Sequence, residues 1–192
     1  MALPSFPGPF ADVPAAPADL SAASPPTGER GAPNPLPFSM QDQQQTEWCW
    51  AATAASISAY YDVAPVWTQC QIASKCLGME CCITPLPPPP PPYWAGNRMW
   101  ALEDALGVIH HLAEGPTGGV LPFSSIISEI NAGRPVCCHI SWGHFNVIVG
   151  YYDDSAQDIV VRDPLFGEKT LPYEMFVSSY HGGAWDDSYL TL

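Results

Sequence analysis

The stretch QQQTEWCWAATAASISAYYD, residues 43–62, contains the strongest structural signal in this chain. Residues 50–61 contain no glycine, no proline and no charge, and five of them are alanine, the strongest helix former. A helix that lacks a polar face is buried rather than exposed at the surface. The stretch therefore predicts a buried helix, with Cys49 in its first turn.

A cysteine at the start of a buried helix is well placed to lose its proton. The unpaired N–H groups and the helix dipole at that end favour negative charge, and thiolates form more readily there. Gln43 lies six residues upstream of Cys49, where its amide can point back at whatever the sulfur attacks. Taken alone, Cys49 also fits a buried structural cysteine. The choice between a catalytic and a structural role therefore depends on residues elsewhere in the chain.

Composition and charge limit the class of protein. The 192 residues suffice for one domain, and 47% hydrophobic against 13% charged residues allow a large core. The formal net charge of −13 argues against nucleic acid, which needs a basic surface, and against an anionic membrane surface. No apolar run approaches the ~18 residues of a membrane span. We therefore expect neither nucleic acid nor membrane as a partner.

Two proline-rich segments differ from the rest of the chain. Residues 1–37 lack a hydrophobic period, which predicts a disordered arm, with a propeptide as the alternative; residues 38–192 form the predicted domain. Within that domain, six consecutive prolines ending at Pro92 predict a polyproline II segment. We interpret it as a stiff strut, and a ligand for an aromatic groove is the alternative.

Helical patterns occupy the first part of the predicted domain. Residues 66–77 form a predicted second helix that stops at Gly78. Asn97 is a predicted N-cap for a helix over residues 98–106. The sequence IISEINA, residues 126–132, follows two serines and predicts one more short helix.

The last third of the chain changes to β-rich segments separated by turn residues. The predicted strands cover residues 136–142, 145–153, 159–162, 169–171 and 189–192. A helical half followed by an antiparallel half is an α+β pattern, in which the N-terminal helices pack against a C-terminal β-sheet or barrel.

Two residues of the predicted sheet can act together with Cys49. His144 follows Gly143 and begins one strand, and Asp163 ends the next strand. If these two strands pair as a hairpin, its open end brings the imidazole and the carboxylate together, although 19 residues separate them. The helix start that carries Cys49 can dock against that end.

These residue types suit nucleophilic catalysis. A thiolate attacks, a nearby imidazolium stabilises it and later protonates the leaving amine, and a carboxylate orients the imidazole. An amide such as that of Gln43, with the backbone N–H of Cys49, can stabilise an oxyanion. Each residue alone also has a structural interpretation: His144 as a hydrogen-bonded strand end, Asp163 as a turn former, and Gln43 as part of a solvated loop.

The cysteine count is odd. If Cys49 is set aside, six of the seven cysteines remain, which allows up to three disulfides. We predict that Cys70 pairs with either Cys81 or Cys82. Together with Cys76 these thiols also suit zinc, but their spacing is not C-x-x-C and adjacent cysteines are awkward for a tetrahedral site. We therefore expect neither a metal nor another cofactor.

The segment QQQTEWCWAA resembles the catalytic-cysteine segment of papain-like peptidases, with a glutamine six residues before the nucleophile. Over residues 38–192 the chain is similar to small bacterial papain-like cysteine proteases of the avirulence-effector type. The matching segments are WCWAA, Gln69-Cys70, Cys81-Cys82, Gly143–Phe145, Asp163-Pro164 and the ending GGAWDDSYLTL.

The resemblance implies a papain-like fold and a set of roles. Cys49 is the implied nucleophile, His144 the base, Asp163 the orienting group and Gln43 the oxyanion donor. Papain itself uses asparagine as the orienting group, so an aspartate follows the bacterial branch. The proline run and the Cys137–Cys138 doublet depart from the family pattern.

Two tryptophans are predicted to contact the substrate. Trp48 adjoins the nucleophile and can form a substrate wall, although a core position is the alternative. Trp142 lies two residues from His144 and can bind substrate or shield the imidazole from water.

The sequence thus predicts a cysteine peptidase that acts as a monomer on protein or peptide substrates. One alternative is acyl transfer or amidase chemistry with the same triad, and another is a disulfide-rich binding module. The many cysteines suggest an oxidising destination, yet the start lacks the basic and apolar regions of a secretory signal. The resemblance to exported effectors implies export without a signal peptide, with a cytoplasmic location as the alternative.

Overall fold

A computed structural model describes residues 35–85, 94–152 and 155–192. Residues 1–34 of the predicted arm and the six prolines of residues 87–92 therefore lie outside the described residues. Residues 35–37, which were predicted to belong to the arm, are described, and Leu36 bonds to the sheet. The helices are α1 Cys49–Tyr61, α2 Gln69–Leu77, α3 Leu102–Val108, α4 Phe123–Asn131 and α5 Tyr173–Ser179. The strands are β1 Leu112–Glu114, β2 Val136–Ile140, β3 His144–Tyr151, β4 Asp158–Asp163, β5 Gly167–Pro172 and β6 Trp185–Thr191.

Helix α1 is the buried helix that the alanine-rich stretch predicts. Each of its first ten residues, from Cys49 to Ser58, is buried. Small side chains let neighbouring elements approach it on every side, and the helix ends at Asp62, whose N–H bonds to the carbonyl of Ser58. This burial fixes the position of Cys49 within the molecule.

All strands belong to one antiparallel sheet in the order β1-β6-β2-β3-β4-β5. Adjacent residues of a strand point to opposite faces, so the sheet separates two apolar clusters. Helices α1 to α3 pack with Cys137, Val147 and Val149 on one face. Helices α4 and α5 pack with Cys138 and Ile148 on the other. The predicted α+β class is confirmed, and the sheet is open rather than a barrel.

Helix α2 confirms the predicted stop and corrects the predicted start. Gly78 adopts the left-handed conformation at φ 65° that ends a helix, as expected for glycine at this position. The helix begins only at Gln69, because Thr68 caps it: the Thr68 side chain accepts from the N–H of Gln71, whose own side chain bonds back to the Thr68 backbone.

The predicted start of α3 is wrong. The helix begins at Leu102, and Ala101 occupies the N-cap position without a side-chain hydrogen bond. Asn97 is instead buried, accepting from the backbone N–H of Glu47 at 3.0 Å and donating to Thr46 Oγ1 at 2.9 Å. The residue thus braces the loop before α1 rather than a helix of its own.

The cysteines form one of the predicted disulfides. Cys70 bonds to Cys82, which confirms the expected partner among the Cys81–Cys82 pair and ties α2 to the loop after it. Cys49, Cys76, Cys81, Cys137 and Cys138 are free. Cys137 and Cys138 point to opposite faces of the sheet and lie in different apolar clusters, so the doublet is two core residues.

The described part of the chain is already packed at its beginning. The N–H of Leu36 donates to the carbonyl of Val149 at 2.7 Å, where an irregularity in the pairing of β3 with β4 leaves room for it. Phe38 is 3% exposed and packs against Tyr60. None of the helices in the described ranges is long and apolar enough to cross a membrane.

Candidate active site

Cys49 is the first residue of α1 and is almost completely buried. Trp48 occupies the N-cap position, no side chain caps the first turn, and that turn contains no acidic residue. The first-turn N–H groups and the positive end of the helix dipole therefore surround the thiol without a competing side chain. The sulfur lies 4.0 Å from the carbonyl oxygen of Gly143, which places it against the turn before β3.

His144 begins β3 after a tight turn. Gly143 has φ +89°, a left-handed conformation that favours glycine, and its N–H closes the turn on the carbonyl of Ile140 at 2.8 Å. This turn directs the imidazole of His144, 2% exposed, toward the start of α1.

Asp163 is the last residue of β4 and meets His144 at the open end of the predicted hairpin. The pairing of Val147 with Arg162 aligns the end of β4 with the start of β3. The Nε2 atom of His144 lies 2.9 Å from both carboxylate oxygens of Asp163. The backbone N–H groups of Leu165 and Phe166 donate to Oδ1 at 2.8 and 2.9 Å.

The charges of this group depend on one another. Burial alone would lower the pKa of His144, but hydrogen bonds to Asp163 and Cys49, together with their charges, raise that pKa to about 9. For Asp163, burial favours the neutral acid, yet the bond and charge of His144 and the two backbone N–H groups hold the pKa below its usual value. The position of His144 between the Asp163 carboxylate and the sulfur of Cys49 therefore favours the protonated imidazole. Since Nε2 faces Asp163, Nδ1 is the ring nitrogen left for the thiol.

Gln43 lies beside the turn that follows β4, and its side-chain amide already has hydrogen-bond partners. Its N–H donates to the carbonyl of Pro164 at 3.1 Å. The side-chain Nε2 donates to the carbonyls of Gln45 and Thr46 at 3.0 and 2.7 Å, while Oε1 is buried without a hydrogen-bond partner in the described structure. The side chain is thus held close to the nucleophile loop, and donation to an oxyanion requires that one N–H be shared.

The tryptophans occupy different surroundings. Trp48 is fully buried and donates through its indole N–H to Gly96 at 2.7 Å, so the structure places it in the core and not on a substrate wall. Trp142 is half-buried and stacks on His144 with ring centroids 4.6 Å apart and planes 9° from parallel. A Cβ at Gly183 would overlap Trp142, so glycine there permits this stacking.

Several residues of the site were not predicted from the sequence. Tyr180 donates through its hydroxyl to Asp163 Oδ2 at 2.9 Å, and the Asn146 amide lies 3.5 Å from the same oxygen. Phe166 packs edge-on to His144 and stacks on His181 at 3.8 Å. Asn146 had a possible signal, because it stands two residues after His144 on one strand. Tyr180 had none, since it follows a helix that the sequence did not predict.

The described residues contain no group of three or more histidine, cysteine or acidic side chains that could hold a metal ion. Two histidines outside the site also have carboxylate partners. His111 bonds to Asp62 at 3.0 Å, and His139 bonds to Asp186 at 2.6 Å.

An α+β fold with a cysteine at a buried helix start, facing a histidine on an antiparallel sheet, defines the class of papain-like cysteine peptidases. The chain belongs to the Peptidase_C39 like family, whose model matches residues 35–185. The family indicates cysteine peptidase activity on protein or peptide substrates. Searches of curated proteins and of solved structures returned no match. The likeness to the avirulence-effector type stays a prediction.

Proposed function

We propose that this protein is a cysteine peptidase that hydrolyses peptide bonds with Cys49, His144 and Asp163. The observation that carries the proposal is the position of His144. Its imidazole bridges a buried carboxylate and Cys49, which among the described residues is the only free cysteine in the first turn of a helix. Family membership supports the reaction class, and the roles of the individual residues are our inference.

In the first half of the reaction, the Cys49 thiolate attacks the carbonyl carbon of the scissile bond. The carbonyl oxygen becomes an oxyanion, which the backbone N–H of Cys49 and the amide of Gln43 stabilise. The His144 imidazolium then gives its proton to the leaving amine as the carbon–nitrogen bond breaks. The product is a thioester on Cys49, and the imidazole is neutral.

In the second half, water attacks the thioester. Neutral His144 accepts a proton from that water, and the carbon–sulfur bond breaks to release the acid and restore the thiolate–imidazolium pair. Asp163 keeps the imidazole oriented through both halves. The hydrophobic ring of Trp142 covers one face of the imidazole and limits the access of water to its bond with Asp163.

Cleavage of a mixed peptide library, analysed by mass spectrometry, tests the proposal. We expect new carboxyl termini with the wild-type chain and none with Cys49→Ala, because no other side chain can take the nucleophile's place. Cys76→Ala is the matched control, since Cys76 is free but lies on α2, and it should cleave normally. Products joined to an added amine, without hydrolysis, would favour acyl transfer instead.

A further inference from the structure

We propose that Tyr180 is a positioning residue for this reaction, because its hydroxyl fixes the orientation and the charge of the carboxylate that His144 faces. The inference rests on the proposed function of Cys49, His144 and Asp163. Tyr180 is 2% exposed and directly follows α5, on the side of the sheet opposite α1. It therefore reaches the site from an element that carries none of the reacting groups.

The hydrogen bonds of Asp163 show why this tyrosine matters. Oδ1 receives two backbone N–H groups in addition to His144, so the turn after β4 holds that oxygen. Oδ2 receives His144 and the Tyr180 hydroxyl, each at 2.9 Å, with the Asn146 amide farther away at 3.5 Å. Tyr180 is thus the closest donor that holds Oδ2 independently of the imidazole.

Toward the Asp163 carboxylate the hydroxyl of Tyr180 acts as the donor. Burial, the charge of Asp163 and the hydrogen bond to it all raise the pKa of Tyr180, so the phenol stays protonated throughout the working range of pH. A carboxylate that shares its charge with a donor is less basic. Without the hydroxyl, Asp163 would hold protons more strongly, both on itself and on the imidazole that it faces.

The ring of Tyr180 is buried and packs against two neighbouring rings. It contacts Phe176 at 5.0 Å and His181 at 4.6 Å between ring centroids, and its carbonyl accepts from Gly183 at 3.0 Å. The ring is therefore held whether or not the hydroxyl is present, so Tyr180→Phe changes the hydrogen bond and preserves the packing.

Other ionisable groups face the same cluster, and the test must account for them. They are Cys49 on α1, Cys138 on β2, His144 on β3, Lys169 on β5, and His181 beside Tyr180. Burial raises the pKa of Cys138, so that thiol stays protonated, and burial lowers the pKa of His181. A His181→Asn variant, which suits the left-handed backbone at φ 47°, identifies any contribution of His181 to the pH profile.

The experiment measures the rate of Cys49 alkylation by iodoacetamide from about pH 2.5 to 10 in the full chain, with kcat/KM for a cleaved peptide beside it. Tyr180→Phe should move both the acid and the basic limb to higher pH by about one unit, because the carboxylate becomes more basic. The shift should persist in the His181→Asn background. A purely structural role would lower the rates without moving the limbs.

Tyr173→Phe is the matched control, since it removes another tyrosine hydroxyl bond, to Leu121 at 3.0 Å, away from Asp163. An unmoved profile in Tyr180→Phe, a move to lower pH, or an equal move in Tyr173→Phe would overturn the inference. Alkylation of Cys49 needs no turnover. If the protein cleaves no peptide but Tyr180→Phe still shifts the pH limbs of alkylation, the proposed hydrolysis is refuted and the role of Tyr180 is supported. If Tyr180→Phe does not fold, NMR on the wild-type chain replaces it: the Tyr180 hydroxyl proton should exchange slowly, and rapid exchange would contradict us.

Discussion

Asp163 performs two tasks that the sequence presented as alternatives. It forms the turn between β4 and β5, accepting from the N–H groups of Leu165 and Phe166, and it also accepts from His144. The turn orients the carboxylate toward His144, because two backbone N–H groups hold one of its oxygens independently of the imidazole. A turn-forming aspartate before a proline is therefore no argument against a role in the site.

Replacing Asp163 should change the pH dependence in a defined direction. In Asp163→Asn the charge that favours the imidazolium is lost while burial remains, so the pKa of His144 should fall from about 9. The basic limb of kcat/KM should then move to lower pH, opposite to the shift expected for Tyr180→Phe. NMR titration of the His144 ring checks this directly. A ring that still titrates near the wild-type pH would show that Asp163 does not control the imidazole.

Gln43 offers a test of the oxyanion site alone. Gln43→Ala should lower kcat by about 100- to 1000-fold, because one donor to the oxyanion is lost. The alkylation rate of Cys49 should change little, since no oxyanion forms in that reaction. Gln44→Ala is the control, because the Gln44 side chain is exposed. Equal losses of turnover and alkylation would mean that Gln43 only supports the loop through its bonds to Gln45 and Thr46.

At the scale of elements, the loop before α1 depends on the segment that follows the proline run. Three consecutive residues of this segment hold the loop. The carbonyl of Gly96 accepts from the indole N–H of Trp48, and the carbonyl of Arg98 accepts from that of Trp50. The side chain of Asn97 bonds to Thr46 and Glu47. Two buried tryptophans beside the nucleophile thus serve as anchors. Their role explains why Trp48 does not reach the surface.

Removing the Asn97 side chain should loosen this loop. Asn97→Ala leaves the partly buried N–H of Glu47 and the partly buried hydroxyl of Thr46 without their partner, at a cost of about 1–2 kcal/mol in the free energy of unfolding. Urea unfolding measures that cost, and peptide cleavage should fall with it. Asn131→Ala removes an exposed hydrogen bond, from the Tyr151 hydroxyl at 2.8 Å, and should cost less, ~1 kcal/mol at most. An Asn97→Ala protein as stable as the wild type would show that the brace is dispensable.

The elements that sequence patterns predicted share a property: their signal is local. The alanine run of α1, the glycine after α2 and the hairpin of β3 with β4 each follow from neighbouring residues. The α3 start failed because Asn97 bonds to residues 50 and 51 positions away instead of capping the next turn. The short edge strand β1 and helix α5 were missed, since packing on distant elements stabilises them.

The same limit applies to the site. Cys49, His144 and Asp163 were predicted from spacing and hairpin topology, and the structure brings these three together. Their supporting residues, Tyr180 and Phe166, come from parts of the chain whose positions depend on the whole sheet. The roles assigned to all of them remain predictions until measured.

At the scale of the whole molecule, the candidate site draws residues from both faces of the sheet. Cys49 approaches from the helices on one face, and Tyr180 approaches from the helices on the other. His144 and Asp163 lie between them at one end of adjacent strands. The site therefore exists only when both faces are packed, so peptidase activity and global folding should be lost together on unfolding.

Truncation tests where this folded unit begins. A chain that starts at residue 35 should melt within a few degrees of the full chain. One that starts at residue 39 should melt roughly 10 °C lower, since it loses the Leu36–Val149 bond and the buried Phe38 ring. Differential scanning calorimetry compares them. A large drop already at residue 35 would show that the preceding arm contributes to stability.

The central claim, that Cys49 is the nucleophile of a thiolate–imidazolium pair, is tested most directly with a peptide electrophile. Burial raises the pKa of the Cys76 thiol to about 12 and also raises the pKa values of Cys81, Cys137 and Cys138. These four thiols should therefore react slowly. The measurement is peptide mass spectrometry after brief exposure to a peptidyl chloromethyl ketone at pH 6. The account predicts a single adduct on Cys49, formed far more slowly in His144→Ala. Modification shared among the other cysteines, or an equal rate in His144→Ala, would contradict it.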